Sequence, residues 1–235
     1  MTREVIVVAG LASKGENLAP LRYTAEKIAG DTGVISYVDG GVPNDIDGYD
    51  VATPTEQVFQ IAEHLESRPE NEFVLLSQSM GALATLTCLE AFASHDIKAI
   101  SISPPLTHPD KVARHPRILG RIKREGDALI LPSYSFALGN TGPTQTTPTP
   151  VGLRIGSTVY NDIDAQSPHY LSRTIEAIRS GALKIVMPTQ DWNTSALAAT
   201  GDLPNVHFIQ GPHSLQTDQA LLDANIDTIA KLARL

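Results

Sequence analysis

Six short runs of Val, Ile, Leu and other apolar residues punctuate the chain, and most of the segments between them carry apolar positions at helical spacing. EVIVVA at 4–9 has the unbroken apolar character of a strand buried on both faces. After the polar turn GLASKGEN, residues 18–30 read as a helix and VISYVD at 34–39 as a second strand. The stretch GGVPNDIDGYD at 40–50 is dense in Gly, Pro, Asn and Asp, and is expected to be irregular. Thr55 is placed to cap a helix in which Val58, Ile61, Ala62 and Leu65 fall at i, i+3, i+4 and i+7. EFVLL at 72–76 makes a third strand, Ser79 to about Ala93 a helix, and IKAISI at 97–102 a fourth strand stopped by Pro104-Pro105. Later come strands KIVM at 184–187 and VHFI at 206–209, and a closing amphipathic helix at 216–234. Alternation at these spacings requires crossover connections, which predicts an α/β fold with a mainly parallel sheet of about six strands.

Between 104 and about 180 the rhythm breaks. Residues 131–150 carry four Pro and five Thr, so neither a core helix nor a core strand is expected there. The segment 104–180 is therefore expected to be a cap inserted after the fourth strand, over a core made of 1–103 and 181–235.

Charge narrows the partners. Lys and Arg number 18 against 26 Asp and Glu, a formal charge of −8, so the chain has no general attraction for nucleic acid. A composition of 42% hydrophobic and 19% charged residues is globular, and no run approaches the roughly 18 apolar residues of a membrane span. No stable membrane insertion is expected. The opening MTREVIVVAG lacks the make-up of a secretory signal, and the single Cys88 precludes an internal disulfide, both of which fit a cytoplasmic setting. The acidity is uneven, because KVARHPRILGRIKR at 111–124 holds six of the 18 basic residues and no acid, leaving −14 for the remainder. That strip is a solvated face whose Val112, Ile118, Leu119 and Ile122 pack inward, a cationic element that attracts anionic substrates, or a face that rests on an anionic membrane surface. On the second reading, neutralising Arg117, Arg121 and Arg124 weakens the use of anionic substrates alone.

The segment most informative about chemistry is FVLLSQSMGALA at 73–84, a strand, then Ser77-Gln78-Ser79-Met80-Gly81, then a helix. A nucleophile presented above the sheet's edge needs such a sharp, strained turn, with small residues two places before and after it. Ser77 and Gly81 meet that demand. A simpler role for Ser79 is helix N-cap. In this segment the sequence resembles the α/β-hydrolase superfamily, whose nucleophile elbow reads G-x-S-x-G; Ser77 departs from the usual first Gly. The resemblance implies a nucleophile, acid and base in the order Ser, Asp, His. Asp191 in PTQDWNT and His213 in QGPHSL each lie just beyond a strand, where open α/β sheets gather their sites. The other six His lack such an address, and His207 falls inside a strand. The implied catalytic residues are Ser79, Asp191 and His213, with backbone N–H groups of Met80 and Leu11 as the oxyanion hole. Gly10 also reads as a plain turn residue. The implied activity is hydrolysis of a small-molecule carboxylic ester through an acyl-enzyme, with no cofactor and no metal. A thioesterase, and a non-hydrolytic lyase or receptor on the same fold, are the alternatives.

Rival readings fail on their own motifs. A dinucleotide site requires G-x-G-x-x-G in the first strand-to-helix turn, whereas AGLASKGEN separates Gly10 and Gly15 by four residues and has no third glycine. Tyr23 and Lys27 have a Tyr-x-x-x-Lys spacing, but lie in the first helix. No P-loop occurs, and His108-Pro109-Asp110 is a poor metal motif. The sequence leaves oligomeric state and acyl and alcohol preference open.

Overall fold

The computed structural model describes residues 2–10, 18–44, 48–106, 123–125, 128–134, 151–191, 203–213, 215 and 218–234. In chain order, strand β1 (Arg3–Val8), helix α1 (Ala19–Ala29) and β2 (Val34–Val38) come first. A hairpin of β3 (Gly41–Asn44) and β4 (Gly48–Val51) precedes α2 (Pro54–Ser67), β5 (Glu72–Gln78), α3 (Gly81–Ala91) and β6 (Ile97–Ile102). Then follow β7 (Lys123–Glu125), β8 (Ala128–Tyr134), β9 (Val151–Ile155), α4 (Ser157–Gln166), α5 (Tyr170–Ser180), β10 (Leu183–Pro188), β11 (Val206–Ile209) and α6 (Gln219–Leu232).

Six strands form one sheet in the order β11-β10-β6-β5-β1-β2, and every neighbouring pair is parallel. The order explains the apolar runs. Val5, Val7, Val74, Leu76, Ile100, Ile102 and Val186 point to one face, under Leu21, Ala25 and Ile28 of α1 and Ile229 and Leu232 of α6. Ile6, Val8, Phe73, Leu75, Ala99, Ile185 and Met187 point to the other, under Ile61 and Leu65 of α2, Ala84 and Cys88 of α3 and Ile178 of α5. Both faces are covered, so alternate residues cannot be polar, and each fully buried aliphatic side chain contributes about 1.5–3 kcal/mol. From β1 the chain runs outward to the edge strand β2, then crosses back to β5 and on through β6, β10 and β11. Strand order therefore reverses between β1 and β5, and the crevice at their C-terminal ends is where open α/β sheets bind ligands.

A second, five-stranded sheet has the order β3-β4-β9-β8-β7. This corrects two expectations. Within the stretch 40–50, residues 41–44 and 48–50 lie in paired antiparallel strands, with Gly41 opposite Val51 and Asn44 opposite Gly48, and residues 131–134 lie within a strand. The hairpin forms because β4 pairs in parallel with β9, which is about a hundred residues away, a contact that local composition does not record. Pro43 is tolerated because β3 is an edge strand, and Pro132 falls at the register irregularity between Leu131 and Tyr134. Thr53, not Thr55, caps α2; its hydroxyl accepts from the Glu56 N–H (3.1 Å) while the Glu56 carboxylate accepts from the Thr53 N–H (2.7 Å). Thr55 instead donates its N–H (2.7 Å) and hydroxyl (2.6 Å) to Asp162, which docks α4 on α2. Helix α5, within 104–180, packs on β10 and α3 and buries Tyr170, Thr174 and Ile178. The basic strip at 111–124 lies outside the described residues, except for Lys123 and Arg124 in β7.

Candidate active site

Three loops meet at the C-terminal edge of the parallel sheet. After β5 the chain turns through Ser79, whose φ is +50°, and enters α3 at Gly81. Met80 occupies the N-cap position and no side chain caps the helix, so the hydroxyl of Ser79 does not serve as a cap. The turn is held by the Ser79 N–H donating to the Ile102 carbonyl (3.0 Å) and the Ala82 N–H to the Ser79 carbonyl (3.1 Å). Of the two flanking small residues, Gly81 is required by contact. A Cβ on Gly81 would lie 2.6 Å from the Val8 carbonyl oxygen and 2.7 Å from that of Ala9, distances that backbone atoms do not tolerate. At Ser77 a side chain fits because its hydroxyl pairs with that of Ser101 directly across β6, at 2.6 Å, both residues being fully buried. The departure from glycine is thus absorbed by a second serine.

Gly10, after β1, approaches the elbow so closely that a Cβ there would lie 3.0 Å from both the Gln78 carbonyl oxygen and the Ser79 Cβ. The end of β1 is fixed from below. The Ala9 N–H donates to Val38, and the buried Gln57 side chain donates to the carbonyls of Ala9 (2.9 Å) and Asp39 (3.2 Å). A small, open cleft adjoins this point, lined by Gly10, Ala52, Gln57, Met80 and Ile163, among others. Leu11 lies outside the described residues.

Beyond β10 and β11 the parallel ladder continues into the loops, where the Thr189 N–H donates to Ile209 (2.8 Å) and the Gln190 N–H to Gly211 (3.0 Å). This zipper brings Asp191 and His213 together. The His213 Nδ1 stands 2.8 Å from the Asp191 carboxylate, whose side chain is fully buried while that of His213 is 26% exposed. The His213 carbonyl in turn accepts from Gln78 Nε2 (3.0 Å) and Ser103 Oγ (3.3 Å). A buried carboxylate paired to an imidazole is an arrangement that orients the ring and favours its cation during proton transfer.

Four of the five expected site residues, Ser79, Met80, Asp191 and His213, thus stand on loops at one edge of the sheet. Gln57, Gln78 and Ser103 escaped the sequence reading. Ser103 had a signal, its place between the fourth strand and Pro104-Pro105; the two glutamines had none, because their partners are backbone carbonyls of other loops. Among the described residues no group of three or more His, Cys, Asp or Glu side chains could hold a metal ion. None of the helices there is long and apolar enough to cross a membrane.

No family model matches the chain, and no curated protein matches it in sequence. Solved structures do match in shape. A pyrethroid hydrolase from Sphingobium faniae JZ-2 superposes with a TM-score of 0.68 at 16% identity, covering 100% of this chain and 98% of that one. A structure from work on the metagenome-derived lipolytic enzymes LipS and LipT gives 0.60 at 13% identity, over 97% and 94% of the two chains. A monoacylglycerol lipase from Paleococcus ferrophilus gives 0.58 at 15% identity, over 97% and 94%. With its all-parallel six-stranded sheet, helices on both faces and a left-handed serine between β5 and α3, the chain has the α/β-hydrolase fold.

Proposed function

We propose that this chain hydrolyses a carboxylic ester of a small molecule, with Ser79 as nucleophile, His213 as general base and Asp191 as the group that orients it. The observation that carries the reading is the 2.8 Å pairing of the buried Asp191 carboxylate with His213, tethered through the His213 carbonyl to the residue that precedes Ser79. The neighbours of known shape, a pyrethroid hydrolase and lipolytic enzymes, agree with ester chemistry.

A serine hydroxyl is a weak nucleophile until a base takes its proton. In the proposed cycle His213 accepts the Ser79 proton as Oγ bonds to the acyl carbon, and the carbonyl oxygen becomes an oxyanion. The backbone N–H groups of Met80 and Leu11 are its proposed donors; Met80 holds the N-cap position of α3, where the helix field favours negative charge. Collapse expels the alcohol with the proton from His213; water, deprotonated by the same imidazole, then releases the acid and frees Ser79. In this reading the part of segment 104–180 that precedes α5 acts as the cap over this edge, and the basic run 111–124 favours anionic esters. The single thiol, on a buried Cys88, suits a reducing cytoplasm.

The test is fluorophosphonate labelling together with turnover of nitrophenyl esters. Ser79→Ala should remove both, lowering kcat by about 10⁴-fold or more. A folded chain that is neither labelled nor active sinks the reading; labelling without turnover favours a receptor.

A further inference from the structure

The search for a further role converges on the carbonyl oxygen of His213. Two donors reach it from different strands, Gln78 Nε2 from the end of β5 at 3.0 Å and Ser103 Oγ from the end of β6 at 3.3 Å. Gln78 is 7% exposed and Ser103 is fully buried, so neither bond is a surface accident. Ser103 holds a φ of +53°, and its N–H donates to Val186 (2.9 Å), so a strained backbone aims its hydroxyl at the histidine loop. Gln78 pairs with Ile102 in the sheet register and is covalently joined to Ser79.

We propose that Gln78, assisted by Ser103, is a positioning residue for the base: it fixes the backbone of His213 in the frame of the nucleophile. The inference rests on the reading of Ser79 and His213 given above. An imidazole has two side-chain torsions between its backbone and its nitrogens. Asp191 restrains the ring at Nδ1, but this leaves the ring free to translate with its loop. Holding the His213 carbonyl removes that freedom. The direction of Nε2 is then set from both ends, and the anchor at the backbone end is the residue next to the nucleophile itself. A side chain on the elbow thereby couples two loops that are 135 residues apart in sequence. Misplacing reacting groups by about 1 Å can cost about 100-fold in rate.

The experiment compares the unmodified chain with Gln78→Met, Ser103→Ala and the double variant, using nitrophenyl ester kinetics and fluorophosphonate labelling. Gln78→Met keeps the length of the side chain and removes the donor. The expected result is a kcat lowered about 10- to 100-fold, KM within about twofold, and Ser79 labelling slowed by the same factor as kcat. Ser103→Ala should give a smaller loss of the same kind. Because the two donors share one acceptor, the double variant should lose more than the product of the single losses. A merely structural role would lower Tm and leave kcat and labelling unchanged for the folded fraction, which would overturn the proposal. If Gln78→Met fails to fold, Ser103→Ala alone decides by the same split between kcat and KM. An unmodified chain that is neither labelled nor active would remove the hydrolase reading and this proposal together; normal turnover with unaffected variants removes only this proposal.

Discussion

Ser79, Ser103 and Leu215 hold φ values of +50°, +53° and +57°, a conformation that costs a non-glycine residue about 1–3 kcal/mol. Each is imposed by its surroundings. The N–H groups of Ser79 and Ser103 are claimed by neighbouring strand ends, while Leu215 donates to Pro212 and has a fully buried side chain. The sheet register therefore supplies the strain that a free loop would relax. The Ser77–Ser101 pair shows the same dependence on a partner. Ser77→Ala leaves the Ser101 hydroxyl buried without its partner, and should cost about 1–2 kcal/mol in urea-monitored stability. Replacing both serines by alanine should cost less than the sum of the single changes; additive losses would show that the hydroxyls do not act as a pair.

Helix α2 illustrates how elements are fixed by their ends. Its capping box joins Thr53 and Glu56, and Pro54 at the first helical position lacks an N–H that would have no partner within the helix. The pattern T-x-x-E at Thr53–Glu56 is a capping-box signature, whereas Thr55 stands closer to the apolar stripe and on sequence alone looks like the cap. The structure gives Thr55 the task of binding Asp162, which secures α4 and with it Ile163 on the wall of the cleft. Thr53→Ala should lower stability by about 1 kcal/mol in a denaturant titration followed by circular dichroism, and an unchanged midpoint would contradict the cap assignment. The β3–β4 hairpin shows the opposite case. Its residues look like a loop because hairpin propensity is weak there, and pairing to β9 makes it a strand pair.

At the scale of the molecule the two edges of the sheet use polar groups differently. At the N-terminal edge, charges neutralise each other. Glu4, fully buried, accepts from Ser36 (2.7 Å), Arg68 (3.0 Å) and Asn71 (3.3 Å), while Arg3 and Lys98 bind Glu72 across three adjacent strands. Burial pushes the Glu72 carboxyl upward, but the bonds from Arg3 and Lys98 outweigh it and hold the group below its ordinary value of 4.5. A carboxyl depressed in the folded state contributes stability that is fully present above its unfolded value and lost as pH falls through the folded one. Thermal stability should therefore decline as pH is lowered from about 5, and Glu72→Gln should flatten that part of the curve. An identical decline in the variant would show that other groups set the acid limb. At the C-terminal edge, by contrast, polar side chains spend their bonds on holding loops, as Gln57, Gln78, Ser103 and Asn225 do by binding backbone carbonyls or, for Asn225, the Gln210 carbonyl (2.7 Å).

The six strands, helices α1, α2, α3 and α6 and the serine elbow follow from local pattern, because apolar runs, helical periodicity and a tight turn each leave a signature within a few residues; α5, which also covers the sheet, lies in 104–180, where a cap is expected. Asp191 and His213 were placed by resemblance together with their addresses after strands. The sequence could not give the 2.8 Å contact between them, the Ser77–Ser101 pair or the Gln78 bond to His213, which join residues 22, 24 and 135 positions apart. Those contacts exist because strand order and register carry separate loops to one edge, and register is a property of the assembled sheet, not of any strand alone. The pairing of β4 with β9 was decided in the same way, by a partner that no local window contains.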